Sequence, residues 1–128
     1  MQLAFIEDSD EDFALFQRVF SRCGPLIRWS SGEAALDAIR DGEVELSAID
    51  ALLVDLNLPG MDGAQLIESA RALPGGTDLL VCVLSSSQSA ADIGRATRAG
   101  ADGYLVKPED VTGLRALPGQ LAAIAELR

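Results

Sequence analysis

Four of the apolar runs in this chain break off on a residue able to do phosphate or metal chemistry, and that shared ending restricts both fold and function. Leu3-Ala4-Phe5-Ile6 stops at Glu7-Asp8, Ala51-Leu52-Leu53-Val54 at Asp55, Leu79 to Leu84 at Ser85, and Tyr104-Leu105-Val106 at Lys107. Short, uninterrupted apolar runs separated by amphipathic segments are the pattern of parallel strands buried on both faces, which need helical crossovers to return the chain to the same edge. Open sheets of this kind bind ligands beyond the carboxyl ends of their strands. Three carboxylates, a hydroxyl and an ammonium are therefore expected along one edge. Lys107 carries extra weight, because nine of the ten basic residues are Arg and it is the only Lys.

The segments between the runs read as helices. Ser9 with Asp12 three residues on can satisfy free amides at a helix start, and Phe13, Phe16 and Phe20 recur at helical spacing. That pattern predicts a first helix to about Cys23, ended by Gly24-Pro25. Leu26 to Trp29 reads as a short second strand, and Ser30 and Glu33 have capping-box spacing ahead of a helix with Ala35, Leu36 and Ile39 inward. Acidic, polar Asp41 to Ser47 reads as a solvated connection to a third strand, Ile49 to Asp55. After Pro59-Gly60 a third helix starts near Asp62, with Gln65 in the reciprocal capping position; Leu66, Ile67, Ala70 and Leu73 face inward and Pro74-Gly75-Gly76 ends it. The fourth unit is Leu79 to Ser85 and then Ser89 to Ala99, a helix with only Ile93 and small residues inward, followed by Gly100 in a left-handed cap. The fifth is Gly103 to Lys107, Pro108, and a last helix carrying Leu114, Leu117, Leu121 and Ile124. An interior proline costs about 3 kcal/mol, so Pro118-Gly119 predicts that this helix is kinked or split.

Five strand-helix repeats in 128 residues fit one α/β domain over residues 1–128. Pattern alone does not give strand order. The doubly wound, flavodoxin-like (βα)5 order 2-1-3-4-5 is the best candidate, and it sets the first and third strands side by side so that Glu7, Asp8 and Asp55 meet.

A net charge of −10 and a pI near 4.2 argue against direct nucleic-acid binding, which uses clustered Lys and Arg. Leu79 to Leu84 is the longest aliphatic stretch, too short to span a bilayer, and Met1-Gln2-Leu3 starts no basic, apolar leader. No membrane association and a cytoplasmic location are expected. Cys23 and Cys82 stand far apart, as buried reduced thiols would. Histidine is absent, which removes Ser-His-Asp and Cys-His nucleophilic sites, His-containing zinc sites and any phosphohistidine on this chain.

Carboxylates gathered at one edge repel one another, by roughly 4 kcal/mol for two unit charges about 4 Å apart at an effective dielectric of 20. A hard divalent ion such as Mg²⁺ relieves this, because it takes oxygen ligands and favours sites completed by a phosphate oxygen. Glu7 and Asp8 would hold the metal, Asp55 would attack the phosphorus of a donor, and Lys107 and the Ser85 hydroxyl would stabilise the charge gained.

Taken in order, Glu7-Asp8, Asp55-Leu56-Asn57-Leu58-Pro59-Gly60-Met61-Asp62-Gly63, Leu84-Ser85 and Gly103-Tyr104-Leu105-Val106-Lys107-Pro108 resemble a response regulator receiver domain of two-component signalling, from Leu3 to about Leu121. The resemblance implies that Asp55 is the phospho-acceptor, and that Mg²⁺ is bound by Glu7, Asp8, Asp55 and the backbone carbonyl of Asn57. It makes Lys107 the phosphate-pairing lysine, Ser85 the hydroxyl at the switch position, and Tyr104 the aromatic whose rotamer follows phosphorylation. Pro108 matches a proline that often follows a cis bond in relatives, at low cost for an X-Pro pair. Glu7 stands where relatives mostly have Asp, a familiar variant whose longer arm still reaches the ion. The implied partners are a sensor histidine kinase or hybrid kinase, since the Glu7-Asp8-Ser9 start and the Asp55 to Gly63 run are similar to stand-alone regulators paired with phytochrome-type or hybrid kinases, and a downstream protein target. A homodimer through the fourth helix, fifth strand and fifth helix is an arrangement seen in relatives.

Two other readings compete. A small Mg²⁺-dependent phosphatase or phosphotransferase could use an aspartyl nucleophile in a similar sheet, but the haloacid-dehalogenase type has a second Asp two residues on, where this chain has Asn57. A receiver-like interaction module that no longer accepts phosphate is the other, and the intact set of site residues argues against it.

Overall fold

The computed structural model describes residues 1–128. Five strand-helix units follow one another: β1 (Leu3–Ile6), α1 (Asp10–Val19), β2 (Ile27–Trp29), α2 (Gly32–Arg40), β3 (Ala51–Val54), α3 (Gly63–Arg71), β4 (Leu80–Ser85), α4 (Ala90–Ala99), β5 (Gly103–Val106) and α5 (Val111–Glu126). All strands pair in parallel, in the order β2-β1-β3-β4-β5. This is the five-stranded doubly wound arrangement expected from the repeats, with its switch point between β1 and β3.

Alternate strand residues supply two separate cores. Leu3 and Phe5 face α1 and α5, where Phe5 packs against Phe13, Phe16 and Phe20 with ring centroids 5.6 to 5.7 Å apart. Ala4 and Ile6 face the other layer with Leu36, Leu66, Ile67 and Ala96. Burying both faces explains why the strands read as unbroken apolar runs.

The register determines where the reactive residues lie. Ile6 pairs with Val54 and Val54 with Val83, while Ser85 pairs with Val106. The ladder then continues one step past the strands, because Asp55 N–H donates to Ile6 O at 3.1 Å, Glu7 N–H to Trp29 O at 3.0 Å and Lys107 N–H to Ser85 O at 2.8 Å. Glu7, Asp55, Ser85 and Lys107 are thus each held by a backbone bond to the neighbouring strand.

Helix caps follow the sequence with one shift of frame. Ser9 and Asp62 with Gln65 cap as expected, Ser89 caps α4 where the sequence placed it as the first helical residue, and Gly100 ends α4 at φ 111°. The cap of α2 is Ser31, whose hydroxyl accepts from Ala34 N, and not Ser30. Glu33 consequently stands at the second helical position and not the reciprocal capping one, and its carboxylate accepts from Met61 N at 3.3 Å.

Four other expectations are corrected. The first helix proper stops at Val19, and Ser21–Cys23 forms a separate 3-10 turn. Leu46 within the polar connection is buried, seated by a 3-10 turn over Leu46–Ala48. Ile93 lies on the exposed side of α4, whose buried residues are Ala96 and Ala99. Helix α5 is not split at Pro118 but runs through it. Leu117 and Leu121 on either side are buried, and at about 1.5 to 3 kcal/mol each that burial outweighs the roughly 3 kcal/mol cost of the proline.

Candidate functional site

The C-terminal edge of the sheet gathers the expected side chains around one ammonium. Lys107 Nζ lies 2.7 Å from Glu7 Oε1, 2.9 Å from Asp55 Oδ2 and 2.9 Å from Asp12 Oδ2. Carboxylate oxygens of Glu7, Asp8 and Asp55 all lie within 4.8 Å of one another. Glu7 and Asp55 are only 2 % and 6 % exposed, whereas Asp8 faces solvent. Two buried carboxylates therefore form the floor and one exposed carboxylate the rim.

Local backbone bonds orient these groups. Glu7 Oε2 accepts from Ser9 N at 3.2 Å, and Asp55 Oδ1 accepts from Asn57 N at 3.0 Å. Arg28, stacked over the Phe13 ring, donates through Nε to the Glu7 carbonyl at 3.0 Å, which ties the loop after β1 to β2. Gly63 N–H donates to Leu56 O, and a side chain at Gly63 would collide with the Asp55 carbonyl oxygen. The start of α3 can come this close to the Asp55 backbone only because residue 63 has no Cβ.

Electrostatics follow from burial. The Glu7 carboxyl is pushed up to about 7, chiefly by its removal from water, with the neighbouring Asp55 charge adding to the effect and hydrogen bonds from Lys107 and Ser9 opposing it. Burial disfavours the Lys107 ammonium, yet its bonds to Glu7, Asp55 and Asp12 together outweigh that and hold its pKa above the ordinary lysine value. Three carboxylates contact the one ammonium and a fourth, Asp8, lies beside two of them, so the site retains negative charge to spare. Every donor at this edge is a hard oxygen, and no soft ligand is present, which fits a small divalent cation such as Mg²⁺ or Mn²⁺.

Ser85 is fully buried, and its Oγ lies 3.4 Å from Asn57 Nδ2 and 3.4 Å from Ser87 N. Tyr104 is not among the clustered groups. It is half-buried and its hydroxyl donates to the Ser87 carbonyl at 2.8 Å, on the loop between β4 and α4. The same Ser87 donates its hydroxyl to Asp92 of α4 at 2.5 Å, which keeps the Asp92 carboxyl below the usual range. The bond before Pro108 is trans, contrary to the cis expectation. Lys107 already reaches its partners across a trans bond, so nothing here overrides the ordinary preference of about 0.5 to 1 kcal/mol.

Asp12 was not expected in the site, since its spacing from Ser9 marks only a helix start. No local signal points to a contact with Lys107, 95 residues away. Asp12 and Lys107 line an open cleft together with Ser86, Pro108 and Glu109.

A family model described as a response regulator receiver domain matches residues 4–117. The transcriptional regulatory protein PrrA of Mycobacterium tuberculosis is 44 % identical over 59 residues, covering 46 % of this chain and 24 % of PrrA. The chain thus spans about a quarter of the length of that relative. Among solved structures, the Mn²⁺-bound form of response regulator Rcp1 matches with a TM-score of 0.79 and 27 % identity, covering 94 % of this chain and 91 % of Rcp1. The phosphorylated cyanobacterial phytochrome response regulator RcpA matches with a TM-score of 0.82 and 24 % identity over 98 % of this chain and 91 % of RcpA, a likeness of fold. No helix is long and apolar enough to cross a membrane.

Proposed function

The chain belongs to the response regulator receiver domain family, and from that premise we propose that Asp55 is the phospho-acceptor of a two-component switch occupying residues 1–128. The observation that carries this is the single ammonium of Lys107 held 2.9 Å from Asp55 Oδ2, within a cluster that also contains Glu7 and Asp8. A carboxylate oxygen of Asp55 attacks the phosphorus of a phosphohistidine on a sensor or hybrid histidine kinase. The P–O bond forms as the P–N bond breaks, and the histidine nitrogen keeps the electron pair. Placement and neutralisation of charge are what such a transfer asks of a protein.

Glu7, Asp8, Asp55 and the Asn57 carbonyl would hold Mg²⁺, which when bound neutralises charge on the phosphoryl oxygens. The Mn²⁺-bound form of the similar Rcp1 supports a divalent cation in this setting. Lys107 and the Ser85 hydroxyl donate to the phosphoryl oxygens, and each charge-assisted bond is worth about 1.5 to 3 kcal/mol. Drawing Ser85 toward the phosphoryl group pulls on Ser87, and with it on Tyr104 and Asp92. One or two such bonds shift a two-state surface equilibrium about tenfold or more. That surface is read by a downstream protein target or a second copy of the chain. The kinase meets it in the cytoplasm, and a phytochrome-type kinase fits the stand-alone regulators it resembles.

The domain catalyses its own phosphorylation and dephosphorylation and no other turnover. A phosphatase of the haloacid-dehalogenase type using Asp55 as nucleophile would need a proton-transferring group two residues on, where Asn57 has none to exchange. Incubation with acetyl phosphate and Mg²⁺, followed by intact-mass analysis, should show one added phosphoryl group in the parent and none in Asp55→Asn. Persistent labelling of that variant refutes the assignment.

A further inference from the structure

The Lys107 ammonium has three N–H donors, and three carboxylate oxygens within 2.9 Å accept them. Two of these acceptors have other work in the function proposed above. Glu7 is assigned to the cation, and Asp55 is the atom donor for the new P–O bond. Both must loosen their hold on Lys107 as phosphate arrives. Asp12 alone is committed to neither, and no other donor reaches its carboxylate.

Asp12 also stands on a rigid support. Its backbone N–H is capped by the Ser9 hydroxyl at 3.2 Å, and the next residue, Phe13, is locked edge-on against Phe5. Its side chain is 38 % exposed and meets Lys107 from the α1 side, at the lining of the open cleft. A lysine reaches over four flexible methylenes, so an ammonium released by two of its three partners would sweep a wide arc unless the third held it.

We propose that Asp12 is a positioning residue for phosphoryl transfer. It anchors Lys107 from α1, so that the ammonium stays beside Asp55 while its other two N–H donors turn to the phosphoryl oxygens. This rests on Asp55 being the acceptor. A different role for the same carboxylate, repulsion of anionic donors at the cleft mouth, leads to the opposite kinetic signature, because it would alter the donor concentration needed and leave the saturated rate alone.

The test is the rate of phosphoryl uptake by the full chain from acetyl phosphate with saturating Mg²⁺, followed by intact mass over a range of donor concentrations. Asp12→Ala should lower the maximum rate about tenfold, as expected for loss of one charge-assisted positioning bond, with Mg²⁺ affinity by calorimetry unchanged. Asp12→Asn, which keeps an acceptor oxygen, should recover part of the loss. Glu11→Gln, which removes a charge from the same helical turn without touching Lys107, should match the parent. The inference is overturned if Asp12→Ala reaches the parent's maximum rate, if only its half-saturating donor concentration changes, or if Glu11→Gln loses as much. Should Asp12→Ala fail to fold, Asp12→Asn decides, and an unchanged maximum rate in it rejects the role. A parent chain that takes up no phosphoryl group refutes the Asp55 assignment itself, and Asp12's role with it.

Discussion

Replacing Glu7 by Gln should stabilise the metal-free fold at pH 8 by about 3 kcal/mol, the interval from 4.5 to about 7 at about 1.4 kcal/mol per pH unit. The sign follows from which state gives up its proton first. As pH rises, the unfolded chain ionises Glu7 near 4.5, while the folded chain keeps the proton until about 7. Between those values the folded state binds more protons, so stability falls with pH; the contribution is complete below the lower value and lost above the upper one. Gln never ionises, and the slope should flatten in the variant. The window is unusually clean because the chain contains no histidine. Adding Mg²⁺ should reverse the comparison. A cation bound at 100 times its Kd stabilises the parent by about 2.7 kcal/mol, whereas the variant lacks one carboxylate ligand. Since proton and cation compete for Glu7, apparent Mg²⁺ affinity should also weaken below pH 7. Urea denaturation from pH 5 to 8, with and without Mg²⁺, measures all of this. A parent whose stability is flat across that range, or a Glu7→Gln variant with the same slope, would show that the buried carboxyl is not the titrating group.

Two further outcomes test how the site is held in place. Arg71 donates to the carbonyls of Gly100 at 2.6 Å and Gly76 at 2.8 Å, and pairs with Asp102 at 3.0 Å, so it joins the ends of α3 and α4 to the sheet. Arg71→Ala should cost about 3 kcal/mol by urea denaturation, because it leaves several half-buried carbonyls without a donor, and Arg71→Lys should not restore it. Gly119 lies in the interior of α5 with open space where a side chain would go. Gly119→Ala should therefore raise stability by about 0.5 to 1 kcal/mol; a loss in the same urea denaturation would mean that α5 does not continue through Pro118.

The composition of the site was legible because parallel strands align their ends. Once β1, β3, β4 and β5 are recognised as apolar runs, the next residues, Glu7, Asp55, Ser85 with its own strand, and Lys107, must fall on one edge whatever the details. Caps are local events of three or four residues, and so Ser9 and Asp62 were readable. The α2 cap slipped by one residue because Ser30 and Ser31 both offer a hydroxyl, and only the packing of Gly32 and Ala35 decides which of them starts the helix.

Sequence by itself determined the strand-helix alternation, the parallel sheet and the identity of the edge residues, since each depends on periodicity and on neighbours a few positions apart. Only the tertiary structure decided that Lys107 binds Asp12 as well as Glu7 and Asp55, that Pro118 is absorbed into an unbroken α5, that Pro108 follows a trans bond, and that Ile93 faces outward. These depend on distances between groups far apart in the chain. They are set by how the two layers settle onto the sheet, where burial worth a few kcal/mol overrides a local preference of similar size.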